Sequence, residues 1–188
     1  MRLSERDSQK VQGTVTLKDG QEACIRLAEE EDERMVWEAY EVQPEEFFRF
    51  IPVISEELVR EWYEEIDHSK IIPINAFLQD GEKETKFIGN CTLTRMPFDC
   101  MKHVIECGLG VISDFQDLGL GGYLLDTGME VARDILHAER IELDVVVENY
   151  PAIRLYHERG FKVEGKMEMR WKRDGAYYDV YKMGRLLE

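Results

Sequence analysis

The sequence predicts a single α/β domain over residues 1–188, and three observations carry that expectation. A chain of 188 residues fits one domain and can bury roughly 70% of its unfolded surface. Several segments alternate apolar and polar residues and are separated by Asp-Gly turns, the mark of antiparallel strands. A long segment with helical apolar spacing is followed by the continuous apolar run Ile141 to Val147, which reads as a buried strand after a helix. With 44% hydrophobic and 34% charged residues, a disordered, collagen-like or membrane-spanning chain is excluded.

Taken in order, Val11 to Leu17 and Glu22 to Leu27 alternate around Lys18-Asp19-Gly20-Gln21 and predict a hairpin. Residues 1–20 therefore form an N-terminal extension ending in a hairpin arm. Glu29 to Val42 suits an amphipathic helix with an acidic outer face. Ser55 opens a second helix, with acids in its first turn and Leu58, Val59, Trp62, Tyr63 and Ile66 on one side. Ile74 to Leu78, Phe87 to Arg95 and Met101 to Val111 predict an antiparallel meander. Gly121 to Ala138 reads as a helix, and Pro151 to Arg159 as a short one closed by Gly160. Phe161 to Lys172 and Tyr178 to Met183, turning at Arg173-Asp174-Gly175, complete the set.

A net charge of −15 repels phosphate backbones and anionic headgroups, so neither nucleic acid nor a membrane surface is an expected partner. Cys24, Cys91, Cys100 and Cys107 include no C-x-x-C pair, and the four histidines are far apart in sequence, so no metal site is expected. The opening MRLSERDSQK has no apolar core of a secretory leader, which points to a cytoplasmic protein with reduced thiols.

The segment richest in chemistry follows the strand ending at Val111. There Gln116, Asp117, Leu118, Gly119, Leu120, Gly121 and Gly122 lead straight into a helix. Glycine-freed backbone N–H groups at a helix N-terminus can hold a pyrophosphate, although a plain tight turn has the same local composition. The run is neither G-x-G-x-x-G nor a P-loop.

About 30 residues beyond Gln116 stands Asn149-x-x-Ala152-x-x-Leu155-Tyr156-x-x-x-Gly160-Phe161. With Gln116, Gly119 and Gly121 matching Q/R-x-x-G-x-G/A, the chain resembles the GNAT superfamily of N-acetyltransferases, in particular its small-molecule members acting on amino acids or polyamines. The resemblance covers about residues 21 to 188. It implies a mixed, mostly antiparallel central sheet flanked by helices, here with an extra N-terminal hairpin. It also implies acetyl-CoA as cosubstrate, no metal, a small and possibly cationic amine as acceptor, and possibly a homodimer.

On that resemblance the pantetheine arm would bond to backbone at Leu109 and Val111, and the pyrophosphate would meet Gln116 to Gly122. Ser113, Gln116 and Asp117 stand where the family pattern usually has a proline and basic residues, so backbone donors rather than side-chain charge would carry this cradle. Tyr156 matches the family's acid for the departing thiolate, although its spacing with Ala152 and Leu155 equally fits a core residue. Glu106, the only carboxylate from Met101 to Val111, is the candidate base. Glu148, Asp144 or an ordered water could take its place. Asn149 fits a bond to the CoA arm or a helix cap. Tyr178 and Asp179 would lie toward the acceptor end.

The expected activity is direct attack of a small-molecule primary amine on acetyl-CoA in a ternary complex. A protein N-terminal acetyltransferase and a non-catalytic acyl-CoA binding module are the alternatives. Residues 29–65 carry 3 basic and 14 acidic side chains, hence 11 of the 15 net negative charges. In the resembled fold this segment borders the acceptor entrance, so its field would draw in cationic amines, or simply keep a helix face solvated.

Overall fold

A computed structural model describes residues 3–64, 66–81 and 83–188. Eight strands form one sheet in the order β1-β2-β3-β4-β5-β6-β8-β7. They are β1 Gly13–Thr16, β2 Glu22–Leu27, β3 Ile71–Asp80, β4 Lys83–Arg95, β5 Val104–Val111, β6 Arg140–Val146, β7 Lys162–Arg173 and β8 Ala176–Leu186. Every neighbouring pair is antiparallel except β5 and β6. The helices are α1 Glu5–Val11, α2 Glu33–Glu41, α3 Glu56–Glu64, α4 Leu120–Glu130 and α5 Tyr150–Glu158. The mixed, mostly antiparallel sheet with flanking helices is the expected class.

Local chemistry accounts for where the elements differ from expectation. Val11 ends α1 rather than opening a strand. The Ser4 hydroxyl accepts from Asp7 N at 3.2 Å, and acids in the first turn favour the helix. α3 starts as expected, with Leu58 N donating to the Ser55 hydroxyl at 3.2 Å; its expected continuation through Glu65 lies outside the described residues. A 3-10 turn over Glu45–Arg49 brings Phe47 against Tyr40, with ring centroids 6.2 Å apart. The helix expected to run to Ala138 widens into a π turn at Val131–Ile135, which keeps Val131, Ala132 and Leu136 in the core. Asp174 and Gly175, both at positive φ, make the primed turn that joins β7 to β8.

A polar network seats α2 and α3 on the sheet. Arg26 of β2 reaches Asp32, at the start of α2, with both terminal nitrogens at 2.9 and 2.7 Å. It reaches Glu84 of β4 at 2.8 and 2.7 Å. Asp32 also accepts from Glu29 N at 2.9 Å and from the Asn75 amide at 3.2 Å, and that amide donates to the Tyr63 hydroxyl of α3. Burial lowers the pKa of the Arg26 guanidinium, but the Asp32 and Glu84 carboxylates more than offset this and raise it. Beside it, burial first and Glu84 second push the Cys24 thiol up to about 11.

Asp32 is only 5% exposed, so removing its partner would leave a buried carboxylate without a counter-ion. Arg26→Met should destabilise the protein by about 3–5 kcal/mol in urea unfolding. The double variant Arg26→Met/Asp32→Asn should recover part of that loss. A single-variant loss no larger than that of an exposed pair would show that this network does not hold the helices.

Candidate active site

The parallel pair β5·β6 lasts only from Val104↔Arg140 to Glu106↔Glu142. Beyond Glu106, β5 stays with β4 as far as Val111, while β6 stays with β8 as far as Val146. The two strands therefore part. Ile112 N donates to Ile88 O at 3.0 Å, and antiparallel pairs alternate between bonded and non-bonded residues. Gly110 and Gly108 thus turn their backbone groups to β4, whereas Cys107, Leu109 and Val111 turn theirs toward the gap. An extended chain laid there would find a row of donors and acceptors. Gln116 fills one position, its side-chain amide donating to Val111 O at 3.1 Å.

The gap leads to the glycine turn. Asp117 and Gly119 both have positive φ, at 61° and 91°, and α4 begins immediately after Gly119. Gly122 N and Tyr123 N are taken by Gly119 O, at 3.0 and 3.3 Å. The preceding N–H groups from Leu118 to Gly121 head the helix dipole. Only glycine adopts the Gly119 conformation without strain. A Cβ at Gly121 would sit 3.4 Å from Leu155 and 3.7 Å from Val111, and one at Gly122 would strike the Arg159 guanidinium. Leu120 and Gly122 are buried, while Gln116 and Asp117 are exposed and Leu118 packs on the core. The turn thus presents backbone N–H groups at the head of α4, with its glycines packed closely against α5 and the β1–β2 turn.

One contact at this cradle was invisible in the sequence. The β1–β2 turn docks on it, with Lys18 N donating to Leu118 O at 3.1 Å and Lys18 Nζ to Asp117 O at 3.0 Å. The Tyr123 hydroxyl donates to Thr16 O at 3.4 Å. A cation therefore reaches the loop from 99 residues away, where the local sequence offers only Asp117. At the other end of the turn, Ser113 binds Gln43 after α2 through both its hydroxyl, at 2.8 Å, and its N–H, at 3.2 Å.

Tyr156 and Glu106 flank the gap from opposite faces. Along β5, Ile105, Cys107, Leu109 and Val111 face α4, and Glu106, Gly108 and Gly110 face α2 and α3, with the Tyr40 hydroxyl 3.5 Å from where a Cβ of Gly110 would be. Tyr156 is buried on the α4 side against Phe161, centroids 5.8 Å apart. Desolvation first, with the Cys107 and Cys91 thiols beside it, raises its pKa. Cys91 and Cys107 are free thiols with Sγ atoms 3.6 Å apart.

On the other face, Lys182 of β8 gathers three carboxylates: Glu142 at 2.9 Å, Asp144 at 3.2 Å and Glu106 at 3.5 Å. Burial lowers the Lys182 pKa, but hydrogen bonds to Glu142 and Asp144 outweigh it and the ammonium is raised. Glu106 and Asp144, expected as alternatives, thus belong to one cluster with Glu142, which the sequence reading did not single out. Glu148 is exposed beyond β6 and Asn149 caps α5, its Oδ1 accepting from Ala152 N at 3.4 Å. Asp179 accepts from Met169 N at 2.9 Å and from Lys166 at 2.7 Å, which pins a bulge in β7; the Lys166 bond is the main cause of its lowered pKa. No cluster of three or more potential metal ligands occurs among the described residues.

Comparison with known proteins agrees with this geometry. The acetyltransferase (GNAT) family profile matches residues 36–161. The L-amino acid N-acetyltransferase AaaT of Escherichia coli is 30% identical over 168 residues, covering 88% of this chain and 98% of its own. Among solved structures, yncA of Salmonella typhimurium with its cofactor acetyl-CoA shares the fold at a TM-score of 0.72 and 21% identity, covering 88% of this chain and 94% of that one. Spermidine N-acetyltransferase from Vibrio cholerae, with CoA and spermine, does so at a TM-score of 0.72 and 23% identity, covering 88% and 95%. The parted strands, the glycine turn and the profile match over two thirds of the sequence converge on one conclusion: this chain belongs to the GNAT acetyltransferase family.

Proposed function

We propose that the protein transfers the acetyl group of acetyl-CoA to the primary amine of a small molecule, by direct attack within a ternary complex. The observation that carries this reading is the stretch Cys107 to Val111, paired with β4 along one edge and parted from β6 along the other, which opens onto the Gly119 turn with Tyr156 buried beside it. Acetyl-CoA supplies an acyl group already activated as a thioester. The chain has then to bind it, polarise its carbonyl, receive a proton from the amine and stabilise the departing thiolate.

Backbone groups of Leu109 and Val111 serve the pantetheine arm, and an N–H in this stretch points at the developing oxyanion. The N–H groups from Leu118 to Gly121 take the pyrophosphate, and Lys18 adds the positive charge that the loop lacks. The half of the Asn149 amide not used in capping can reach the CoA arm. Tyr156 keeps its proton at neutral pH because burial disfavours the phenolate. The same shift opposes full transfer to a thiolate whose ordinary pKa is about 8.5, so the phenol acts chiefly as a hydrogen-bond donor. Glu106 receives the amine proton from the opposite face. Its cluster of three carboxylates around one Lys182 keeps an excess of negative charge, which attracts an ammonium before it is deprotonated. No helix among the described residues is long and apolar enough to cross a membrane, and buried free thiols suit the cytoplasm.

Release of CoA thiol over a panel of amino acids, polyamines, aminoglycosides and N-terminal peptides tests the activity. Turnover with small amines is expected; turnover confined to peptides would reassign the protein to N-terminal acetylation, and none at all would leave an acyl-CoA binding module. Tyr156→Phe keeps the ring packing and should lower kcat by about ten- to a thousandfold, with acetyl-CoA affinity unchanged within about twofold. An unaltered kcat would return Tyr156 to a packing role. Lys18→Ala should raise the KM for acetyl-CoA by about three- to tenfold, the size of one charge-assisted contact, and the effect should shrink as salt is added. A KM independent of this substitution would leave Lys18 as a structural tie.

A further inference from the structure

The sheet face that carries Glu106 is only partly covered. Over β3 and β4 it lies beneath α2 and α3: the Asn75 amide donates to the Tyr63 hydroxyl at 2.9 Å, and Tyr40 packs on Phe87 with ring centroids 5.8 Å apart. The cover ends at β5. The Tyr40 hydroxyl stops 3.5 Å from where a Cβ of Gly110 would be, and beyond it Thr92, Glu106, Asp144 and Lys182 are all partly exposed. On the opposite face their neighbours Leu93, Ile105, Cys107 and Leu143 are buried. A trough open to solvent therefore runs over the middle of the sheet, across the gap from Tyr156.

Gly108 is the floor of that trough. It pairs with Thr92 of β4, follows Glu106 by one alternation of the strand, and by register stands across the gap from Asp144. Although it lies on an inner strand of an eight-stranded sheet, it is exposed. The neighbouring glycines have a packing reason to lack a side chain: a Cβ at Gly89 would be 2.7 Å from Gly110 O, and one at Gly110 would be 3.0 Å from Asn90 Oδ1. Gly108 has no such reason. Its backbone is outside the left-handed region, and among the described residues a Cβ there would meet nothing within 4 Å. Glycine inside a strand weakens it, because the freer chain loses more entropy on folding and no side chain packs. The fold therefore does not require this glycine, and the space above it is free for a ligand that approaches the backbone closely.

We infer that Gly108 is a specificity-determining residue, whose missing side chain is the space in which the acceptor amine lies. The inference rests on the acetyl-transfer reading above and deepens it. An amine over Gly108 has the Glu106 carboxylate beside it along the same strand face and the parted edge of β5 next to it. The backbone groups of Gly108 turn to β4, so a side chain added there alters neither the row at Cys107, Leu109 and Val111 nor the glycine turn. It would point away from Tyr156 and fill only the acceptor's side of the gap. Gly108 thus limits how bulky an amine can be next to its nitrogen, while leaving the cofactor's contacts untouched.

Gly108→Ala and Gly108→Val in the full chain test this. Both should leave the midpoint of urea unfolding unchanged or raise it, since a side chain restricts the unfolded chain and valine favours a strand. Acetyl-CoA affinity by calorimetry should stay within about twofold. In the thiol-release assay at saturating acetyl-CoA, kcat/KM for L-leucine, spermidine and kanamycin, whichever the wild type acetylates, should fall at least about tenfold with valine and less with alanine. Tenfold is about the low end of what one carbon decides in a binding pocket. A lower unfolding midpoint would show that the fold needs the space, weaker acetyl-CoA binding would give it to the cofactor, and an unchanged kcat/KM would leave it to solvent. Each of these overturns the assignment. Should the wild type acetylate none of the three, the transfer reading falls by itself, and calorimetry of the same amines on the CoA-saturated protein decides Gly108. Binding lost in Gly108→Val keeps it as the floor of the site, whereas binding that is absent from the wild type or unchanged in the variant removes it.

Discussion

Everything at the centre of this protein follows from two ladders that draw adjacent strands apart. β5 is held by β4 along its whole length and β6 by β8 along its whole length, so the parallel contact between them survives for three residues only. Polar backbone groups in the middle of a sheet are costly to leave unpaired. Here the cost is concentrated at Cys107, Leu109 and Val111, where a ligand with amide groups can relieve it. The gap is thus a defect in the sheet that strand pairing itself maintains, and it is where the proposed cofactor arm would lie.

The gap also sorts the side chains around it. Because β5 alternates, residues one apart in sequence face different layers, and a phenol on α5 and a carboxylate on β5 address the same opening from opposite sides. Each layer is anchored independently. The Arg26 network seats α2 and α3, which border the carboxylate face, whereas Tyr156 sits in the apolar packing of α4 and α5. Ser113 and Gln43 join the layers at the end where the glycine turn begins.

Charge is distributed with comparable economy. Residues 29–65 carry 11 of the 15 net negative charges, and at the sheet face opposite α4 three further carboxylates share the single ammonium of Lys182.

The features legible in the sequence are those whose cause is local. The helix periods, the Asp-Gly turns, the glycine turn after a strand and the cap position of Asn149 each arise from residues within one or two turns of one another, so spacing alone displays them. The motif matches at Gln116, Gly119, Gly121 and from Asn149 to Phe161 belong to the same kind. Short-range competition explains the misses: a helix capped by Ser4 runs through Val11, so the first strand starts only at Gly13, and the end of α4 widens into a π turn. What only the tertiary structure decided are contacts between groups far apart along the chain. Lys18 meets Asp117 across 99 residues and Arg173 meets Ile51 across 122, while Lys182 finds Glu106 and Asp144 through strand order. Which charges neutralise one another, and which are left for a ligand, depends on distances through space, and those exist only once the sheet has been ordered.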